Sequence, residues 1–179
     1  MQTIQPIQLE NAGDATKRLL VAASTETGVS SNMMKTLAQS PRVLEGYLQF
    51  SRALAGGKLH QKVREQIALA VAQANLCEYS LAYHTTIARK LGLTDNEILA
   101  SREGRAADSR IEAALRFARE LVAENGDSST EELQRVGFSD GEMVDIVALV
   151  GLNVFENYFN MAARMEIDFP KVGLKLRAA

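Results

Sequence analysis

An all-α fold follows from three features of this 179-residue sequence. Apolar residues recur at spacings of three and four, while strict apolar/polar alternation is scarce. Prolines occur only at positions 6, 41 and 170, leaving a long interior free of helix breakers. Ser or Thr followed three residues later by Glu opens an apolar pattern at three places, the signature of a capping box. The length suits one domain with a sizeable core, so residues 1–12 read as an N-terminal arm and 13–179 as a single helical domain.

Taken in order, the first helix is expected over Asp14 to Glu26, with Leu19, Leu20 and Ala23 on its apolar side. Gly28 to Asn32 reads as a loop, and Met33 to Gln39 as a short helix. Ser40-Pro41 supplies a cap and a first-turn proline for a helix running to Ala55 and stopping at Gly56-Gly57. A helix from about Gln61 to Ala74 follows, then one starting near Cys77 and ending at Gly92. The pairs Thr94/Glu97, Ser129/Glu132 and Ser139/Glu142 predict helices near 95–101, 130–136 and 140–165. Between the first two, Ile111, Leu115, Ala118 and Val122 mark a helix near 108–124. A weak echo links Ile67–Tyr83 to Ile146–Ala162, and shared amphipathicity accounts for it better than duplication, because the second copy lacks a thiol and a histidine.

Composition narrows the function. A hydrophobic share of 46% and a charged share of 23% are those of a soluble globular protein. With net charge −2, no basic block and no tryptophan, nothing points to nucleic-acid binding. The longest strongly apolar stretch, Ile67 to Ala72, is too short to cross a bilayer, and the first ten residues lack a signal-peptide pattern. One cysteine allows no internal disulfide and predicts a reducing compartment, most simply the cytoplasm.

The chemistry concentrates between Glu65 and His84, E-Q-I-A-L-A-V-A-Q-A-N-L-C-E-Y-S-L-A-Y-H. Cys77, Ser80 and His84 are separated by three and four residues, so a helix places thiol, hydroxyl and imidazole on one face. The preceding helix is apolar on more than one side and is expected to be buried. Glu65 then admits two readings. It is a carboxylate held partly from water and suited to proton transfer, or a plain glutamate, favoured in the first turn by the helix dipole or paired with Arg64 or Lys62.

Asn75-Leu76-Cys77 reads as a break that puts Cys77 in the first turn of a new helix, where the dipole lowers a thiol pKa. The alternative is a buried structural cysteine, and the neighbouring Glu78 speaks for exposure. His84 lies one turn from Ser80, within reach of its proton, against the alternative of a satisfied core or surface histidine. His60 helps open its helix and is given no chemical role. One Cys and one His do not make a closed four-ligand metal site, and no oxyanion-hole motif accompanies Ser80.

Glu65, Cys77-x-x-Ser80, His84 and the following Ile87-Ala-Arg-Lys-Leu-Gly-Leu-Thr-Asp-Asn-Glu-Ile98 resemble the alkylhydroperoxidase D-like (AhpD-like) core of the carboxymuconolactone decarboxylase superfamily. The likeness runs from about Asn32–Pro41 to Asn153–Ala163. It implies an all-helical subunit assembling into a homo-oligomer, trimer or hexamer, and a thiol peroxidase that needs no metal or flavin cofactor. Its substrate would be an organic hydroperoxide and its reductant an external dithiol or thioredoxin-like donor. By the resemblance Cys77 is the resolving cysteine, Glu65 and His84 the proton relay, and Ser80 stands where the attacking cysteine belongs. Tyr79 occupies a place where some members have histidine, so its phenol could take part.

Ser80 is the departure from the pattern. A serine hydroxyl forms neither a stable sulfenic acid nor a disulfide, so this chain is not expected to complete the peroxide cycle. Either Ser80 replaces a natural cysteine or the chain is a natural member with altered chemistry, and the intact partners favour a deliberate replacement. Two rival functions are a carboxymuconolactone decarboxylase-like proton-transfer enzyme using Glu65 and His84 without a thiol, and a non-catalytic redox-sensing oligomer capped at Cys77.

Overall fold

The computed structural model describes residues 1–175, apart from the side chains of Glu26 and Thr27. Among the described residues the fold is all helical, without strands. Its helices are α1 (Asp14–Thr27), α2 (Asn32–Leu37), α3 (Pro41–Ala55), α4 (Gln61–Ala74), α5 (Glu78–Lys90), α6 (Asp95–Arg102), α7 (Ser109–Ala123), α8 (Glu131–Arg135) and α9 (Asp140–Ala162). None is long and apolar enough to cross a membrane.

Helix α4 is the axis. Every residue from Gln66 to Gln73 is buried, and the helix packs against α5, α6, α7 and α9. Its sequence explains this placement: alanines at 68, 70 and 72 allow close approach, while Ile67, Leu69 and Val71 fill the space between neighbours. Each such aliphatic side chain contributes about 2 kcal/mol by leaving water. The two glutamines on this helix are satisfied inside the core. Gln66 Nε2 donates to Ser101 Oγ at 3.1 Å, and Gln73 Oε1 accepts from Arg102 Nε and Nη2 at 3.1 and 2.7 Å. Arg102 also donates to the Gly173 carbonyl, fastening the segment after α9 across α4 and α6.

One core lies between α4, α7, α8 and α9 around Ile67, Leu115, Leu133 and Ile146. A second gathers Leu20, Met33, Met34, Leu44 and Leu48 from α1–α3 over Cys77 and Tyr79. A third, with Leu69, Leu81, Ala88 and Ile98, closes α4 against α5 and α6.

Helix ends follow the sequence signals with instructive exceptions. Gly92, at φ 80°, ends α5 in a Schellman motif, with Leu93 N–H donating to the Ala88 carbonyl and Gly92 N–H to that of Arg89. The capping boxes at Thr94 and Ser139 both form. The one expected at Ser129 does not: α8 is capped by Thr130, whose ψ of 0° keeps its side chain from the helix, and Ser129 Oγ accepts from Glu131 N–H instead. Helix α2 starts at Asn32 because Ser31 caps it, its Oγ accepting from Met34 N–H. Helix α9 stops at Ala162, short of 165, where Arg164 turns left-handed and Met165 N–H donates back to the Asn160 carbonyl. The first residues are pinned rather than free, with Thr3 N–H donating to the Ala163 carbonyl and Ile7 N–H to that of Lys35.

Candidate active site

A tight turn between α4 and α5 sets the geometry. Asn75 ends α4, Leu76 adopts φ 55°, and Cys77 N–H donates to the Ala72 carbonyl at 3.0 Å. This is again a Schellman motif, with leucine in the left-handed position that glycine normally fills, a strain of about 1 kcal/mol. The turn makes Cys77 the N-cap of α5, one position before the first turn in which it was expected. It also faces inward: Cys77 is 1% exposed although Glu78 beside it is exposed.

From that start, α5 presents a polar stripe to a matching stripe on α9. Asn153, Glu156, Asn157 and Asn160 are all buried on one side of α9. Asn160 Nδ2 donates to Ser80 Oγ at 3.1 Å, the Cys77 thiol contacts Ser80 Oγ at 3.3 Å and the Asn157 carbonyl at 3.8 Å, and His84 meets Glu156. Partners fall from 160 to 156 on α9 as α5 rises from 80 to 84, so the two helices run antiparallel along this seam.

His84 is clamped between two carboxylates. Its Nδ1 lies 2.9 Å from Glu65 Oε2, in hydrogen-bond geometry. Its Nε2 lies 3.4 Å from Glu156 Oε2, a charge contact outside hydrogen-bond geometry, so Nε2 has no hydrogen-bond partner among the described residues. Glu156 is braced in turn by the Tyr47 hydroxyl, which donates to Oε1 at 2.7 Å. Burial works against the charged ring, but Glu65 and Glu156 outweigh it and push the His84 pKa up to about 10. The resting form at neutral pH is therefore the imidazolium, a proton donor and an anion stabiliser, with carboxylates on either side to take the proton back.

At the other end of the stripe the balance is reversed. Burial pushes the Cys77 thiol up, and its hydrogen bond with Ser80 offsets that only in part. The lowered pKa and the exposure expected from a helix start are both overturned, because desolvation outweighs the hydrogen bonds from Ser80 and from the Tyr79 backbone at a nearly inaccessible site.

Glu65 and His84 are thus brought together, and Cys77 and Ser80 adjoin on the same helix. No hydrogen bond joins Ser80 to His84 among the described residues. Tyr79 is directed elsewhere: its hydroxyl donates to Asp168 Oδ1 at 2.9 Å and accepts from Met33 N–H at 3.1 Å, tying α2 and the C-terminal segment to α5. The aromatic neighbour of His84 is Tyr83, edge-on at 4.9 Å between ring centroids. Glu65, Tyr83, His84 and Glu156 line a cavity of about 570 Å³, whereas Cys77 lines a separate one of about 330 Å³ at the start of α5. Among the described residues no cluster of three or more His, Cys, Asp or Glu is arranged to hold a metal ion. Sequence reasoning did not find Glu156, Tyr47 or Tyr83. A signal for the first existed, since Asn153, Glu156, Asn157 and Asn160 recur at helical spacing within the otherwise apolar stretch Ile146–Ala162.

Residues 41–124, which carry α3 to α7 and the whole Glu65–His84 stretch, match the model of the carboxymuconolactone decarboxylase family. The fold superposes on an AhpD core, an uncharacterized peroxidase-related protein from Ralstonia eutropha JMP134, with a TM-score of 0.81 at 23% identity over 93% of this chain and 92% of that one. The chain is similar to the carboxymuconolactone decarboxylase family over those residues, and its fold is AhpD-like. A peroxidase-related protein from Silicibacter sp. TM1040 has the same AhpD-like fold, with a TM-score of 0.78 at 21% identity over 91% of each chain. So does the debrominase Bmp8 in complex with 2,3,4-tribromopyrrole, with a TM-score of 0.82 at 19% identity over 94% of this chain and 92% of that one. No functionally curated protein matches the sequence. The AhpD-like fold thus hosts more than one chemistry, and fold alone does not set the reaction of this chain.

Proposed function

We propose that the chain carries the acid–base machinery of a thiol-dependent alkyl hydroperoxide reductase, with serine at the attacking position and Cys77 at the resolving one. The observation that supports this most is His84, held 2.9 Å from Glu65 on the α5 face that also bears Ser80 and Cys77, 3.3 Å apart. A cysteine at position 80 would lie one turn before an imidazolium, whose charge favours the thiolate. That thiolate attacks one peroxide oxygen: the S–O bond forms, the O–O bond breaks, the departing alkoxide takes a proton from His84 and leaves as an alcohol, and the proton shed by the thiol restores the imidazolium. Cys77 then displaces the sulfenic hydroxyl, which departs as water with the Cys77 proton, and an external dithiol reduces the resulting disulfide. The Ser80 hydroxyl supports neither sulfur step, so the chain as written retains the relay without the cycle. The completeness of everything around position 80 supports Ser80 as a replacement for cysteine.

Proton transfer without a thiol is the second reading, and one observation favours it. Glu65, His84 and Glu156 line the larger cavity, while Ser80 does not and Cys77 lines the other. The deciding experiment is Ser80→Cys assayed with tert-butyl hydroperoxide and dithiothreitol. The peroxidase reading predicts turnover that is absent from the Ser80 chain and lost again in Cys77→Ala or His84→Ala backgrounds. A folded but inert Ser80→Cys protein overturns it and leaves the proton-transfer reading.

A further inference from the structure

The larger cavity has two unlike ends. Its floor is buried and carries His84 and Glu156, with Glu65 beside them. Its rim, where the last turn of α3 meets the first of α4, is more exposed and carries Arg52 and Arg64. Arg64 is fixed in place by its Nη1, which donates to the Leu59 carbonyl at 2.7 Å and reaches that of Ala55 at 3.4 Å. Both contacts are to backbone, and no carboxylate neutralises this guanidinium among the described residues. Apolar side chains such as Leu48, Ile87 and Leu152 supply most of the remaining lining, with Ser51, Gln61 and Asn153 among them. Among the described residues, the acidic ones lining the cavity are the two on His84, and Arg64 places a positive charge at the rim.

We propose that this cavity selects a substrate with an apolar body and one terminal carboxylate, the carboxylate docked on Arg64 at the rim and the reactive group at His84 on the floor. The proposal rests on reading His84 as the reacting end of the site. A guanidinium held by backbone carbonyls is a pre-oriented partner for a carboxylate. The opposite orientation is disfavoured, since a carboxylate at the floor would face Glu65 and Glu156 as well as His84. The cavity volume of about 570 Å³ suits a small molecule of this kind.

Calorimetric titration with octanoate and with octan-1-ol tests the assignment on the chain as it stands, without turnover. Octanoate is expected to bind about tenfold more tightly than octanol at low salt, to lose that advantage as NaCl is raised, and to shift the His84 imidazole NMR signals. Arg64→Gln should abolish the preference, and Arg64→Lys should keep part of it. Equal affinities in the parent protein, a preference that survives Arg64→Gln, or octanoate binding that leaves the His84 signals unmoved would each overturn the assignment. The salt series on the parent protein decides the matter if Arg64→Gln fails to fold. Because binding is the readout, failure of the peroxide assay would leave this result standing, and loss of the octanoate preference would leave the peroxide assay standing.

Discussion

At one end of the α5–α9 seam His84 is charged, held between Glu65 and Glu156, and open to a large cavity. One turn back along α5, Ser80 and Cys77 are neutral and almost fully buried, engaged with each other and with α9. The two regions share a helix pair and a similar burial, so burial alone does not set their ionisation. Desolvation disfavours charge at both, and only the pair of carboxylates reverses it at His84. Any thiol chemistry in this fold is therefore driven from the histidine end, and the start of α5 supplies little.

The largest break in this contrast is His84→Ala, which leaves two carboxylates facing each other without the cation between them. Stability is expected to fall by about 3 kcal/mol, the scale for removing one partner of a buried pair, read by urea denaturation. His84→Ala with Glu156→Gln should recover part of that loss by removing one of the two charges.

The same clamp makes stability depend on pH. The folded pKa of about 10 lies above the unfolded value near 6.5, so the His84 contribution is fully present below about pH 6.5. It drains away as pH rises towards 10. Thermal melts across that range should show a decline that is absent in His84→Gln.

A smaller effect is expected at the brace. Tyr47→Phe removes the hydrogen bond to Glu156 Oε1 and should cost about 1.5 kcal/mol, the scale of a hydrogen bond to a charged group. The smallest change has the opposite sign and lies at the thiol end. Leu76→Gly relieves the left-handed strain and should raise stability by about 1 kcal/mol, less whatever its apolar contacts contribute.

What the sequence disclosed and what it hid divide along the same seam. Local signals sufficed for the helices: the all-round apolar run of α4, the Asn75–Cys77 break, Gly92, and the caps at Thr94 and Ser139 all act within a few residues. The Glu65–His84 pair was legible because both residues lie in consecutive helices joined by that break. Glu156 and Tyr47 were not, since their contacts depend on how α3 and α9 pack against α5, which no local pattern specifies. The inward turn of Cys77 was obscured for a related reason. Glu78 signalled exposure correctly for itself, while the left-handed turn at Leu76 sent the preceding side chain the other way.

An NMR titration of the His84 imidazole tests the account most directly, with His60→Asn leaving a single histidine and preserving a capping side chain at that position. The ring is expected to stay protonated through pH 8 and to titrate at about 10. A ring that loses its proton near pH 6.5 in the folded protein would contradict it.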